Sequence, residues 1–130
     1  MSSNASSLAR KNGASIEDKI IKFLNLIRED EEGWDAYDPN TYEYYEIKSC
    51  QSINVHGDGK RSGRFKFKSK DFKNLNKTFI FVVHTNLEIE KIFFIRGENL
   101  FKYVLKRKDY SWRVLYNHAE KVIKYDNNTI

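Results

Sequence analysis

The stretch "GWDAYDPNTYEYYEIKSCQ", Gly33–Gln51, decides how this chain folds. "DPNT" is turn chemistry, with proline at the second position, and it separates "GWDAY" from "TYEYYEIKSCQ". Both flanking runs are rich in aromatic and β-branched residues, so the spacing predicts two strands of a hairpin. In the second strand Tyr42, Tyr44, Glu46 and Lys48 share one face, and Glu43, Tyr45, Ile47 and Ser49 share the other. An acid and a base two residues apart on one face are either a solvated ion pair or part of a site.

Upstream, "ASIEDKIIKFLNLIRED" has Ile16, Ile20, Phe23, Leu24 and Ile27 at helical spacing. Ser15 is placed to cap this helix, Glu17 and Asp18 lie in its first turn, and the acidic "EDEE" before Gly33 is expected to close it. The small polar residues before it read as a flexible tail over 1–12, leaving 13–130 as one domain. Downstream, "TFIFVVHT" is nearly continuous in apolar residues and predicts a buried central strand. "EKIFFIRG" predicts another strand, "ENLFKYVLKRK" a short helix, and the rest a strand, a further short element and a frayed end. The order is that of a mixed α/β sheet with helices against it.

Between Gly57 and Lys73 there are seven Lys or Arg against two Asp, within an overall charge of +5. Lys60, Arg61, Arg64, Lys66, Lys68 and Lys70 are candidate contacts to a polyanion. The alternation of "RFKFKSK" suits phosphate contact together with base stacking on its aromatic rings, in a strand or a mobile basic hairpin. One cysteine excludes an internal disulfide framework and a multi-cysteine zinc site, and fits a reducing, cytoplasmic setting. No window is apolar for the roughly 18 residues of a membrane span. His56, His84 and His118 read as structural or surface residues, and Trp34 and Trp112 as core or half-buried.

Hydrolysis of a phosphodiester needs a divalent cation on hard oxygen ligands and a positive group for the developing charge. Asp35 from one strand, Glu46 from the next and Lys48 beside it meet those needs if the turn folds Asp35 back. The ordered set, a helix beginning "NGASIEDKI", then an Asp before a turn, then "EIK", resembles the PD-(D/E)XK nuclease superfamily. That is the fold of many restriction endonucleases and of archaeal Holliday junction resolvases. The resemblance covers roughly residues 11–83. It implies a restriction-endonuclease-like mixed β-sheet core flanked by α-helices and a Mg²⁺-dependent DNA endonuclease in which Mn²⁺ substitutes. Asp35, rather than Asp38, matches the acidic position, Glu46 and Lys48 the E-x-K pair, and Glu17 the acid of the first helix. Ile47 would add its backbone carbonyl to the metal ligands. Cutting two strands would imply a homodimer, with Phe101, Tyr103 and Trp112 as candidate surfaces.

Plainer readings stand beside these. Glu46 and Lys48 form an exposed pair worth under about 1 kcal/mol, Glu17 serves the helix dipole, and the basic run is a solvated loop. If instead the acids are incidental and "RFKFKSK" is a stacking strand, the chain is a non-catalytic nucleic-acid-binding module; an inactive nuclease-fold partner subunit is a third alternative.

Overall fold

The structure is a computed structural model and describes residues 3–31, 33–104 and 108–127. Helix α1, Ser3–Phe23, precedes a meander of β1, Ile27–Glu31, β2, Trp34–Tyr37, and β3, Tyr44–Gln51. A crossover then carries the hairpin strands β4, Ile53–His56, and β5, Gly59–Ser62, strand β6, Arg64–Lys66, and a 3₁₀ turn, Ser69–Phe72. Next come β7, Thr78–Thr85, β8, Glu88–Arg96, and α2, Gly97–Tyr103. The chain closes with β9, Asp109–Ser111, α3, Trp112–Tyr116, and β10, Lys121–Ile123. Six strands form the main sheet in the order β1-β2-β3-β7-β8-β10. Among the described residues only β3 and β7 are parallel, and the other pairs in the sheet are antiparallel. A parallel pair cannot be joined by a tight turn, which is why the crossover stands between them.

The alternation in "TFIFVVHT" builds both cores. Phe79, Phe81 and Val83 face a cluster with Phe65, Phe67, Phe93, Leu100, Trp112 and Leu115. Ile80 and Val82 face the other side, with Ile16 and Ile20 of α1 and with Ile47, Ile89, Ile92 and Phe94. Ile16 and Ile20 are fully buried, worth about 1.5–3 kcal/mol each, and they seat α1 on the sheet.

Three local expectations change. Residues 3–12 of the segment read as a tail belong to α1, so Ser15 lies inside the helix and is not its cap; residues 1–2 lie outside the described residues. The helix also ends early. Asn25 adopts a left-handed φ of 55°, its N–H donates to the Lys22 carbonyl, and the Leu26 N–H donates to that of Ile21. This is the Schellman arrangement, completed by apolar contact of Leu26 and Ile21 with the same cluster. "IREDE" is therefore strand β1 rather than the helix end. In "RFKFKSK" the rings of Phe65 and Phe67 are buried in the core while Arg64, Lys66 and Lys68 face out, so those rings pack against Phe81, tilted and edge-on, and are not available for base stacking. Trp112 is likewise buried and unsuited to a dimer surface, whereas Phe101 and Tyr103 are partly exposed. Of the helix expected over "ENLFKYVLKRK", residues 105–107 lie outside the described residues. Among the described residues no helix is long and apolar enough to cross a membrane.

Candidate active site

The hairpin predicted from "DPNT" is present, and it opens where the candidate residues lie. β2 and β3 pair at Tyr37↔Tyr44 and Ala36↔Tyr45. One residue further along β2, the Asp35 side chain replaces the ladder: its Oδ2 accepts the Ile47 N–H at 2.8 Å. Asp35 thus sits near the plane of the sheet, where the two strands part. Acidic groups approach it from both faces. Glu46 projects toward the Phe-rich face, near enough to Asp35 for the two carboxyls to interact electrostatically. Glu17 comes from α1 on the opposite face, and its carboxylate lies with those of Asp30 and Asp35 within 4.8 Å of one another.

The like charges have an electrostatic consequence. Burial raises the Glu46 carboxyl to about 8, and the nearby Asp35 charge adds to that effect. Burial raises Glu17 to about 7, again with Asp35 contributing, although Arg28 bonds to Glu17 at 3.0 Å and works in the other direction. Arg28 also pairs with Asp18 and lies 3.5 Å from Asp30. These hard oxygen donors suit Mg²⁺, and their raised affinity for protons is what a divalent cation would relieve. Asp38 is elsewhere: its Oδ1 accepts the Asn40 N–H inside the turn.

Lys48 shares the Glu46 face, as its spacing requires, and is held there. Its Nζ donates to Asp71 Oδ2 at 2.8 Å and lies 5.6 Å from the centre of the Phe67 ring. Asp71 is fully buried in the 3₁₀ turn, and the same oxygen accepts the Lys68 N–H at 2.7 Å. Its Oδ1 has no hydrogen-bond partner among the described residues. A second ammonium group, Lys77, lies 3.9 Å from Glu46, donates to the Gly33 carbonyl and sits over the Phe79 ring. Burial lowers the Lys77 pKa.

Sequence reasoning missed Asp30, Asp71 and Lys77. Asp30 was hidden in the run read as a helix end. Asp71 follows Lys48 by 23 residues, with no local pattern linking them. Lys77 carried one signal, a lysine two residues before a continuous apolar run, Phe79 to Val83.

From Lys48 a groove of about 400 Å³ runs along β3, walled by Asn12 and Gly13 of α1 on one side and by Arg64, Lys66 and Lys68 on the other. Ser49, Gln51 and Asn54 form part of its lining. Lys70 is exposed on the 3₁₀ turn, and Lys60 and Arg61 are exposed on β5. Arg64 is partly engaged by Asp109 at 2.5 Å. Cys50 is buried, which raises its thiol to about 12 and makes it a poor nucleophile. His84 is buried, its Nδ1 accepts the Leu87 N–H at 3.1 Å, and it lines the same groove.

No protein-family profile matches this chain, and no curated protein matches it.

Proposed function

We propose that the chain is a Mg²⁺-dependent endodeoxyribonuclease with a restriction-endonuclease-like core. The observation that carries this reading is the meeting of Asp35 and Glu46 at the parting of β2 and β3, with the Lys48 ammonium two residues along the same face. Asp35, Glu46 and the carbonyl of Ile47 are the proposed metal ligands. In an extended strand a residue's N–H and C=O point to the same side, so the Ile47 carbonyl faces the Asp35 side. Glu17 supports the site from α1, and Asp30 adds a further oxygen donor. A bound Mg²⁺ supplies positive charge at the scissile phosphate and lowers the pKa of a water.

The protein's own groups do the rest. Lys48 orients the attacking water and stabilises the negative charge that develops on the phosphoryl oxygens. Asp71 fixes the Lys48 ammonium in place, which removes the entropy of a free lysine from the barrier. Lys77 offsets the charge of Glu46 once that carboxyl has lost its proton. Arg64, Lys66 and Lys68 hold the backbone along the groove that begins at Lys48. Double-strand cleavage would bring two copies together, with exposed Phe101 and Tyr103 as contact candidates.

A non-catalytic nucleic-acid-binding module is the second reading. What favours it is that Arg28 and Lys48 already pair with acids within the chain. Supercoiled plasmid and a four-way junction, each with Mg²⁺ or EDTA, separate the two. The nuclease nicks DNA only with metal, and Glu46→Ala and Lys48→Ala abolish nicking while DNA binding survives. A binding module retards DNA without cutting it.

A further inference from the structure

We infer that the β4–β5 ribbon enters the major groove of B-form duplex DNA and reads base pairs there with Asn54 and Arg61. The inference rests on the reading of the chain as a DNA nuclease. It adds that the enzyme is selective for base sequence rather than for DNA shape alone.

The ribbon stands apart from both cores. β4 and β5 form their own two-stranded sheet, and Ile53 and Val55 are 50% and 70% exposed. Gly59, Lys60 and Arg61 are exposed as well. A two-stranded hairpin is barely stable alone, and this one is anchored at its base. There Ser52 is buried, with its N–H donating to the His84 carbonyl at 2.7 Å. Its carbonyl accepts from Gly63 N–H at 3.0 Å and from Trp112 Nε1 at 2.8 Å. Arg113 Nε donates to Ser62 Oγ at 2.9 Å. At the tip Gly57 has a φ of +56° as the first residue of a two-residue turn, the place a type II′ hairpin reserves for glycine. The result is a short arm with a rigid root.

Its size and chemistry fit one partner. Each strand has four residues. At roughly 3.4 Å per residue the arm reaches about 13 Å, enough for the ~8.5 Å depth of a major groove that admits a two-stranded ribbon. The A-form groove of duplex RNA is too narrow for it. Asn54 and Arg61 are cross-strand partners and so share a face, opposite that of Ile53 and Val55; Arg61 is exposed and Asn54 half-buried. Asn54 also lines the groove that starts at Lys48, which places this face on the same track as the backbone-holding lysines. Asparagine and arginine are the side chains that pair bidentately with adenine and guanine edges in that groove.

Binding selection on a randomised duplex pool, with the whole chain in EDTA, tests this without requiring cleavage. The expected result is enrichment of particular base pairs at adjacent positions, and loss of binding when guanine N7 is methylated. Arg61→Ala should weaken the selected duplex roughly 5- to 150-fold and an unrelated duplex far less. Lys66→Ala should weaken both alike and lower the salt slope by about one. The inference falls if the bound pool is unenriched, if Arg61→Ala weakens all duplexes equally, or if RNA or single strands compete better than duplex. It also falls if Arg61→Ala dissociates a dimer with base preference intact, for then the face joins two copies of the chain. Failure to bind any nucleic acid would remove the nuclease reading itself, whereas binding without base preference removes only this inference.

Discussion

Replacing Glu46 by glutamine should make the metal-free protein more stable at alkaline pH. The amide mimics the protonated carboxyl, keeps a donor toward Asp35 and cannot ionise. In the fold the Glu46 carboxyl holds its proton to about 8, against 4.5 for an ordinary glutamate. A carboxyl raised in the folded state favours folding fully below its unfolded value. That advantage is lost as pH climbs toward the folded value. Linkage puts the accumulated cost at about 2 kcal/mol near pH 6 and about 4 kcal/mol near pH 8. The wild type should therefore lose about 2 kcal/mol more than Glu46→Gln between about pH 6 and about pH 8, several degrees in melting temperature. Urea denaturation of both proteins in EDTA at the two pH values measures this difference. Parallel stability curves would refute the reasoning, because they would mean that Glu46 ionises normally and that the site holds no excess of acid for a cation to relieve.

Other consequences are open to the same kind of measurement. Mg²⁺ or Mn²⁺ should raise the melting temperature more at about pH 8 than at about pH 6, since the metal competes with the protons on Glu46 and Glu17; an equal rise at both would count against carboxylate ligation. Asp71→Asn should lower kcat roughly 10- to 100-fold, the usual scale for losing a group that orients a key partner, and leave KM for DNA unchanged. A rise in KM alone would make Asp71 a purely structural residue. Gly63→Ala should cost about 3 kcal/mol or more in urea denaturation, because a Cβ there would lie 1.6 Å from the Gln51 carbonyl oxygen. A stable variant would show that β3 and the start of β6 can separate without loss.

The parts of the fold written in short-range patterns were legible. "DPNT" between two aromatic runs fixed β2, the turn and β3, and through them the placing of Asp35, Glu46 and Lys48. "TFIFVV" announced the central strand, and its alternation turned out to sort phenylalanines to one core and aliphatic residues to the other. What escaped reading depended on a single dihedral or on distant partners. Asn25 ends α1 by adopting a left-handed conformation, a choice that helical periodicity running on to Ile27 conceals. Once α1 is cut there, Asp30 moves from a solvated helix end to the edge of the acidic cluster. The Lys48–Asp71 pair joins β3 to a turn in the crossover, and the contact of Lys77 with Glu46 arises only because β7 lies beside β3. The rings of "RFKFK" read as well for stacking as for burial, and only the neighbouring Phe81 and Phe93 decide between them.

The parallel register of β3 against β7, from Tyr45↔Thr78 to Gln51↔His84, also bears on when the protein acquires its chemistry during synthesis. Pairing of this kind must close a long loop before any contact rewards it, and such closures come late and slowly. Asp35 can meet Glu46 within an early hairpin, but Lys77 reaches that carboxyl only after the loop has closed. A nascent chain thus carries Asp35 and Glu46 together before Lys77 joins them, and the charge balance of the cluster is completed only by long-range pairing.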